Sequence, residues 1–237
     1  MYLITRPLAK LAQTDTAFAE AGLSASVVAL QDTIAVANGM TTLQSLLTAC
    51  SDAVLIVTST AAAQPLVSMA NNLIAHHKVI AVGQSTAQIL ALAGIPAEVP
   101  ERENSEGVLA LPLLKDCADK HILLLKGQGG RTAIPEQLTL RGARLHEVVL
   151  YQRVPLTPPV FSRTCNWTQL NGIIATSSEQ AQALIKNFKT QPLTSVKWLT
   201  VSERIAQQLK QQGIRHISVC PKASDAALIA WIQQNWE

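Results

Sequence analysis

The chain repeats itself, and the repeat restricts its fold more than any other feature. Residues 3–30 and 123–150 carry the same landmarks at a constant offset of 120, without a gap. Arg6 matches Lys126, Gly22 matches Gly142, and Val28-Ala29-Leu30 matches Val148-Val149-Leu150. The rest repeats at an offset of 118 to 119. There, 54–57 with Thr58-Ser59 behind it matches 172–175 with Thr176-Ser177 behind it. Residues 79–82 before Gly83 match 197–201 before Ser202. Gly94 matches Gly213, and Ser105-Glu106 matches Ser224-Asp225. Two copies fill the 237 residues.

Within each copy short apolar runs alternate with helical spacing. The runs at 2–5, 26–30, 54–57 and 79–82 are too short for helices and read as buried strands, as do 122–125, 145–150, 172–175 and 197–201. Leu8, Leu11, Ala12 and Ala19 fall on one helical face, with Gly22 as the stop, and 132–140 before Gly142 reads the same way. Ser105 and Ser224 read as helix caps with an acid in the first turn. Each copy is βαβ, βα, βα, β and a final helix. This predicts an α/β fold with a five-stranded parallel sheet per copy and helices on both faces. Residues 31–49 and 152–169 lack element signals, and Pro155, Pro158 and Pro159 stiffen the second. These stretches are the natural crossings between domains. A domain can be residues 1–118, or it can be completed across the crossings, with the first βαβ joining the last third of the chain. Spacing alone does not choose.

Composition narrows the function. With 48% apolar and 15% charged residues the chain is core-rich rather than disordered. A net charge of +3 is too mild for a nucleic-acid protein and suits an anionic small molecule, while 4% aromatic residues argue against base-stacking platforms. The start, MYLITRP, enters a strand at once, without a signal-peptide pattern. Polar residues interrupt the uncharged stretch 53–75, so no membrane span is expected. Cys50, Cys117, Cys165 and Cys220 are scattered and read as reduced thiols of a cytoplasmic protein.

The candidate site residues lie in loops after strands. Lys126-Gly127-Gln128-Gly129-Gly130-Arg131 joins a strand to a helix; it is neither a Walker A loop nor GxGxxG, since Thr132 replaces the third glycine. It is either an anion-binding loop or a tight turn. Thr58-Ser59-Thr60, Gly83-Gln84-Ser85-Thr86, Thr176-Ser177-Ser178 and Ser202 each precede a helix. N-capping explains each serine singly. As a set they would line the ligand crevice of a parallel sheet. Arg6, Lys126, Arg131 and Arg204 sit where a cation opposes the helix dipole, which an anionic ligand would justify. Tyr151 ends its strand where the first copy has Gln31; it is either a packing residue or a proton donor, though a phenol is a weak acid at neutral pH. His76-His77 read as helix C-terminal partners; His121, His146 and His216 stand isolated at strand starts. Neither a metal site nor a cofactor signature is expected.

Taken in order, these segments resemble a known family. Leu3-Ile4-Thr5-Arg6-Pro7, Leu125 through Arg131, Gly142-Ala143-Arg144-Leu145 through Tyr151-Gln152-Arg153, Thr176 through Glu179 and Val201 through Ala206 are similar to uroporphyrinogen-III synthases from end to end. The resemblance implies two flavodoxin-like lobes joined by a two-stranded connector, with the active site between them. It places lobe 1 at 1–33 plus 158–237, lobe 2 at 36–150, and the connectors near 31–38 and 151–158. It implies a cofactor-independent monomer that cyclises hydroxymethylbilane, a linear tetrapyrrole, with loss of water and inversion of ring D. Tyr151 matches the family's cleft tyrosine and is the implied donor, with Thr86 on the other wall. Ser202 through Ile205 depart from the threonine common in that loop, so Arg204 is expected on a carboxylate instead. The competing expectations are a non-enzymatic two-lobed binding protein for an anionic small molecule and an inactive relative that senses tetrapyrrole.

Overall fold

The computed structural model describes residues 1–69, 74–130 and 132–237. Strand β1 (Tyr2–Thr5) leads to α1 (Leu11–Glu20), β2 (Ala25–Ala35), α2 (Gly39–Ala49), β3 (Val54–Val57) and α3 (Thr60–Val67). Then come β4 (Lys78–Ala81), α4 (Gln84–Leu92), α5 (Ser105–Ala110), α6 (Pro112–Lys115), β5 (His121–Gly127) and α7 (Ala133–Leu140). The chain continues through β6 (Arg144–Phe161), β7 (Gly172–Ala175), α8 (Ser178–Asn187), β8 (Trp198–Thr200), α9 (Glu203–Gln211), β9 (Ile217–Val219) and α10 (Asp225–Asn235). Among the described residues no helix is long and apolar enough to cross a membrane, and the four cysteines are unbridged.

The chain divides into two units, one of residues 1–32 and 154–237 and one of 33–153. In the first, the strands run β2-β1-β7-β8-β9. Every pairing there is parallel: Tyr2 sits opposite Ala25 on one side and Gly172 on the other. Strand residues alternate between two cores, as a sheet covered on both faces requires. Leu3, Val28, Ile173 and Trp198 pack with α8 and α9, while Ile4, Val27, Ile174 and Leu199 pack with α1 and α10. In the second unit the order is β4-β3-β5-β6, again parallel. Leu55, Val57, Leu123 and Leu125 face α2, α3 and α4, and Val54, Ile56, Ile122 and Leu124 face α5, α6 and α7.

Five strands per copy is therefore an overcount for the second unit. At the place equivalent to β9, Glu98 makes only a single bridge to Ile80. Pro96 and Pro100 flank it, and proline cannot donate to a ladder. The signal-free stretches are also more ordered than the sequence suggests. Strand β2 runs on to Ala35, and α2 follows, its Leu43 and Leu47 buried one turn apart. Threonines and an opening glycine hide that helix from propensity. Strand β6 runs to Phe161 through all three prolines, half-exposed along that length, and Thr157–Pro158 is cis. The repeat's paired stops, Gly22 and Gly142, adopt φ of 74° and 76°, a left-handed helix end that glycine alone takes without strain. The cap before α5 is Asn104, whose Oδ1 accepts from Gly107 N at 2.8 Å; Ser105 already lies inside the helix.

One surface pair in the first unit has a pH signature. Arg163 Nε and Nη2 donate to the two Asp15 carboxylate oxygens at 2.8 and 2.6 Å, and Ser162 Oγ donates at 2.7 Å. Arg163 and then Ser162 hold the Asp15 carboxyl below its ordinary range. The native state therefore binds that proton less readily than the unfolded chain. The stabilisation is present at neutral pH and fades as pH falls below about 3.9, through the lowered value. Asp15→Asn should flatten this acid limb slightly in thermal melts recorded against pH, since water screens so exposed a pair.

Candidate functional site

In the unit of residues 33–153 the parallel register puts the loops after β3, β4 and β5, together with the Tyr151 stretch of β6, on one sheet edge. Here Ser59, Gly127 and Tyr151 come together. Ser59 Oγ lies 3.0 Å from the Tyr151 hydroxyl and accepts from Ala62 N at 3.2 Å, so it both caps α3 and touches the phenol. Tyr151 lies beside Gly127 across a bulge in the β5–β6 ladder, and Gln128 N donates to Tyr151 O at 2.8 Å. A Cβ on Gly127 would stand 2.5 Å from the tyrosine ring. This glycine is thus needed for close approach, while Gly129 and Gly130, with φ of 74° and 92°, carry the chain's left-handed turn. Thr58 Oγ1 donates to Leu125 O at 2.9 Å, tying the β3 loop to β5. Arg153 stands over the Tyr151 ring at 5.8 Å.

The loop after β4 is occupied by the protein itself. Glu103 Oε2 accepts from Gln84 N at 2.9 Å, at the N-terminus of α4. A carboxylate therefore already uses the amide that the sequence reading reserves for a ligand. Ser85 is exposed, whereas Thr86 is buried, with its amide bonded to Gly83 O. Lys126 has an internal anion too: its Nζ donates to Glu147 Oε2 at 2.8 Å. Arg131 lies outside the described residues.

In the other unit the equivalent loops follow β1, β7 and β8. Arg6 is 5% exposed and bonds to Asp225, to Ala223 O at 3.0 Å and to Thr176 Oγ1 at 3.3 Å. The anion that its position asks for is Asp225, supplied by the chain, which corrects its reading as a ligand cation. Ser177 Oγ accepts from Gln180 N at 3.2 Å and Ser202 Oγ from Ile205 N at 3.4 Å, so both are caps. Ser178 Oγ is buried without a partner among the described residues, and Arg204 is exposed in the first turn of α9. Glu103, Glu147 and Asp225 were missed by sequence reasoning. Each lies 19, 21 or 219 residues from the group it bonds, so local spacing carries no sign of it.

Comparison with known proteins decides the family. A family model described as uroporphyrinogen-III synthase HemD matches residues 12–230. The chain belongs to the uroporphyrinogen-III synthase family. It is 32% identical over 161 residues to uroporphyrinogen-III synthase of Salmonella typhimurium (strain LT2) and 33% identical over 161 residues to that of Escherichia coli (strain K12). Each match covers 65% of this chain and 65% of the relative's length. Among solved structures, a mutant uroporphyrinogen III synthase from the extremely thermophilic bacterium Thermus thermophilus superposes with a TM-score of 0.64 at 15% identity, covering 98% of both chains. Uroporphyrinogen-III synthetase from Helicobacter pylori 26695 gives 0.58 at 15% identity, over 88% of this chain and 92% of that one. At that identity the structures speak for the α/β fold alone.

Proposed function

We propose that this protein is a uroporphyrinogen-III synthase, converting hydroxymethylbilane to uroporphyrinogen III with loss of water, inversion of ring D and no cofactor. The match of the family model over residues 12–230 carries the reading. The proposal includes two flavodoxin-like lobes with lobe 1 built from both chain ends, and a monomer acting in the cytoplasm. Because the bilane closes unaided to the wrong isomer, the enzyme's work is to favour the inverting path. A thousandfold preference needs about 4 kcal/mol of differential transition-state stabilisation.

The residues supply a donor for the departing hydroxyl. Ser59 Oγ accepts the Ala62 amide, so its own proton is free to go to the Tyr151 oxygen. The phenolic proton is then free to point outward, toward the ring A hydroxymethyl group. As the C–O bond breaks, Tyr151 donates to the leaving oxygen, and water departs while the pyrrole nitrogen's electrons stabilise the carbon. In the unit of residues 33–153 the proposed substrate contacts are the amides of Gly129 and Gly130 with Thr58, Gly83, Gln84, Ser85 and Thr86; in the other unit they are exposed Arg204 with Thr176, Ser177, Ser178 and Ser202.

The decisive assay supplies freshly made hydroxymethylbilane and resolves isomers I and III. Predominant isomer III is expected, and isomer I alone would refute the synthase reading. Tyr151→Phe should lower kcat severalfold, by roughly tenfold for one lost hydrogen bond in the transition state, with the fold intact by circular dichroism. Unchanged turnover would remove the donor role.

A further inference from the structure

At the N-terminal ends of β5 and β6 the fold gathers three side chains that the sequence leaves apart. Cys50 caps the C-terminus of α2, His121 opens β5, and His146 sits opposite Leu123 on β6, diagonal to His121. Cys50 Sγ lies 3.3 Å from His121 Nδ1, which lies 3.1 Å from His146 Nε2. The imidazole planes are within 13° of parallel, and the three donor atoms all fall within 4.8 Å of one another. Cys50 is buried and both histidines are half-buried.

Hydrogen bonding serves this arrangement poorly. A ring nitrogen offers either one proton or one lone pair in the ring plane. A proton on His121 Nδ1 would have to be shared between the sulfur and His146 Nε2. A lone pair there would have to accept from both. A cation among the three atoms takes a thiolate and two imidazole lone pairs at once. Tetrahedral zinc, with bonds of about 2.0–2.3 Å, sets neighbouring nitrogen and sulfur ligands roughly 3.3–3.6 Å apart. The 3.3 and 3.1 Å contacts lie close to that spacing, and side-chain rotation has to bring the third pair to it from within 4.8 Å.

We propose that Cys50, His121 and His146 bind one divalent cation of the zinc class. Thiolate with imidazole selects such borderline ions over magnesium or calcium. Three protein ligands leave a fourth position for water. His146 also lines a groove of about 660 Å³ with Asn38, Thr42, Ser45 and Glu147, which gives solvent a route to the ion. Gly127 lies six residues beyond His121 on β5, about 20 Å at the strand rise. The site is thus distinct from the Tyr151 edge, ties α2 to β5 and β6, and does not depend on the synthase reading.

Metal-free full-length protein titrated with cobalt(II) tests this. One equivalent should bind with a thiolate-to-cobalt charge-transfer band in the near ultraviolet and tetrahedral bands in the visible. Zinc should displace the cobalt and raise the melting temperature. Cys50→Ser and His146→Gln should each weaken binding at least about 100-fold, and His76→Gln should leave it unchanged. A folded wild-type protein without the charge-transfer band overturns the site, as does a band that survives Cys50→Ser. Should either ligand variant fail to fold, the wild-type spectrum still decides.

Discussion

Replacing Arg6 with alanine is expected to cost about 3–5 kcal/mol of folding stability, the usual loss when one partner of a buried ion pair is removed. The Arg6 and Asp225 side chains are 6% and 14% exposed. Arg6 joins the end of β1 to the start of α10; Nη2 also donates to Ala223 O and Nη1 to Thr176 Oγ1, while Nε is buried without a partner among the described residues. Thr14 Oγ1 supports the same carboxylate at 3.0 and 3.1 Å. Without Arg6, the carboxylate keeps only the Thr14 hydroxyl as a hydrogen-bond partner among the described residues, too little for its burial. Replacing both partners by apolar residues of similar volume should cost less, because no lone charge remains. Denaturant midpoints of the single and double variants measure the difference. A loss under about 1 kcal/mol for Arg6→Ala, within the range of exposed pairs, with a raised KM, would return Arg6 to substrate binding.

The second large effect is expected at Gly127. In Gly127→Ala the new methyl would meet Tyr151 Cε2 and Cζ at 2.5 Å and its hydroxyl at 2.9 Å. Gly127 pairs with Tyr151 in the sheet, so neither backbone can withdraw freely. Overpacking of this kind costs about 1–3 kcal/mol. Turnover should fall further than in Tyr151→Phe, because the whole ring is displaced from Ser59. In a Tyr151→Ala background the clash is gone and Gly127→Ala should cost little. A double-mutant cycle should therefore show a coupling of about 1–3 kcal/mol. Additive costs would mean that the glycine serves the turn rather than the tyrosine.

Much of the architecture was legible beforehand, because it depends on local codes. Runs such as Val54–Val57 can satisfy their burial only inside a covered parallel sheet. Serines at 59, 177 and 202 precede helices because their hydroxyls satisfy free amides, and each makes that bond. The site was less legible. The residue types of the loops could be listed, but not the anions that answer their cations, since in one unit Lys126 and Glu147 stand 21 residues apart and in the other Arg6 and Asp225 stand 219 apart. The Cys50, His121 and His146 cluster escaped for the same reason: neighbouring strands and a helix end bring together side chains that share no spacing.

The amino-acid sequence by itself determined that the molecule is two copies of one strand-and-helix pattern, with the positions of most strands and helix ends. Only the tertiary structure decided which copy completes which. It places β1 between β2 and β7, and β3 between β4 and β5, so each unit takes strands from both copies. The copies are alike, so pairing β1 with β3 would bury nearly the same apolar edge as pairing it with β7. What separates the alternatives is contact between distant, non-equivalent residues: Arg6 with Asp225, Tyr2 stacked on Trp236 at 5.8 Å, and Ser59 with Tyr151. Each is specific to one pairing, and none is visible until the chain has folded.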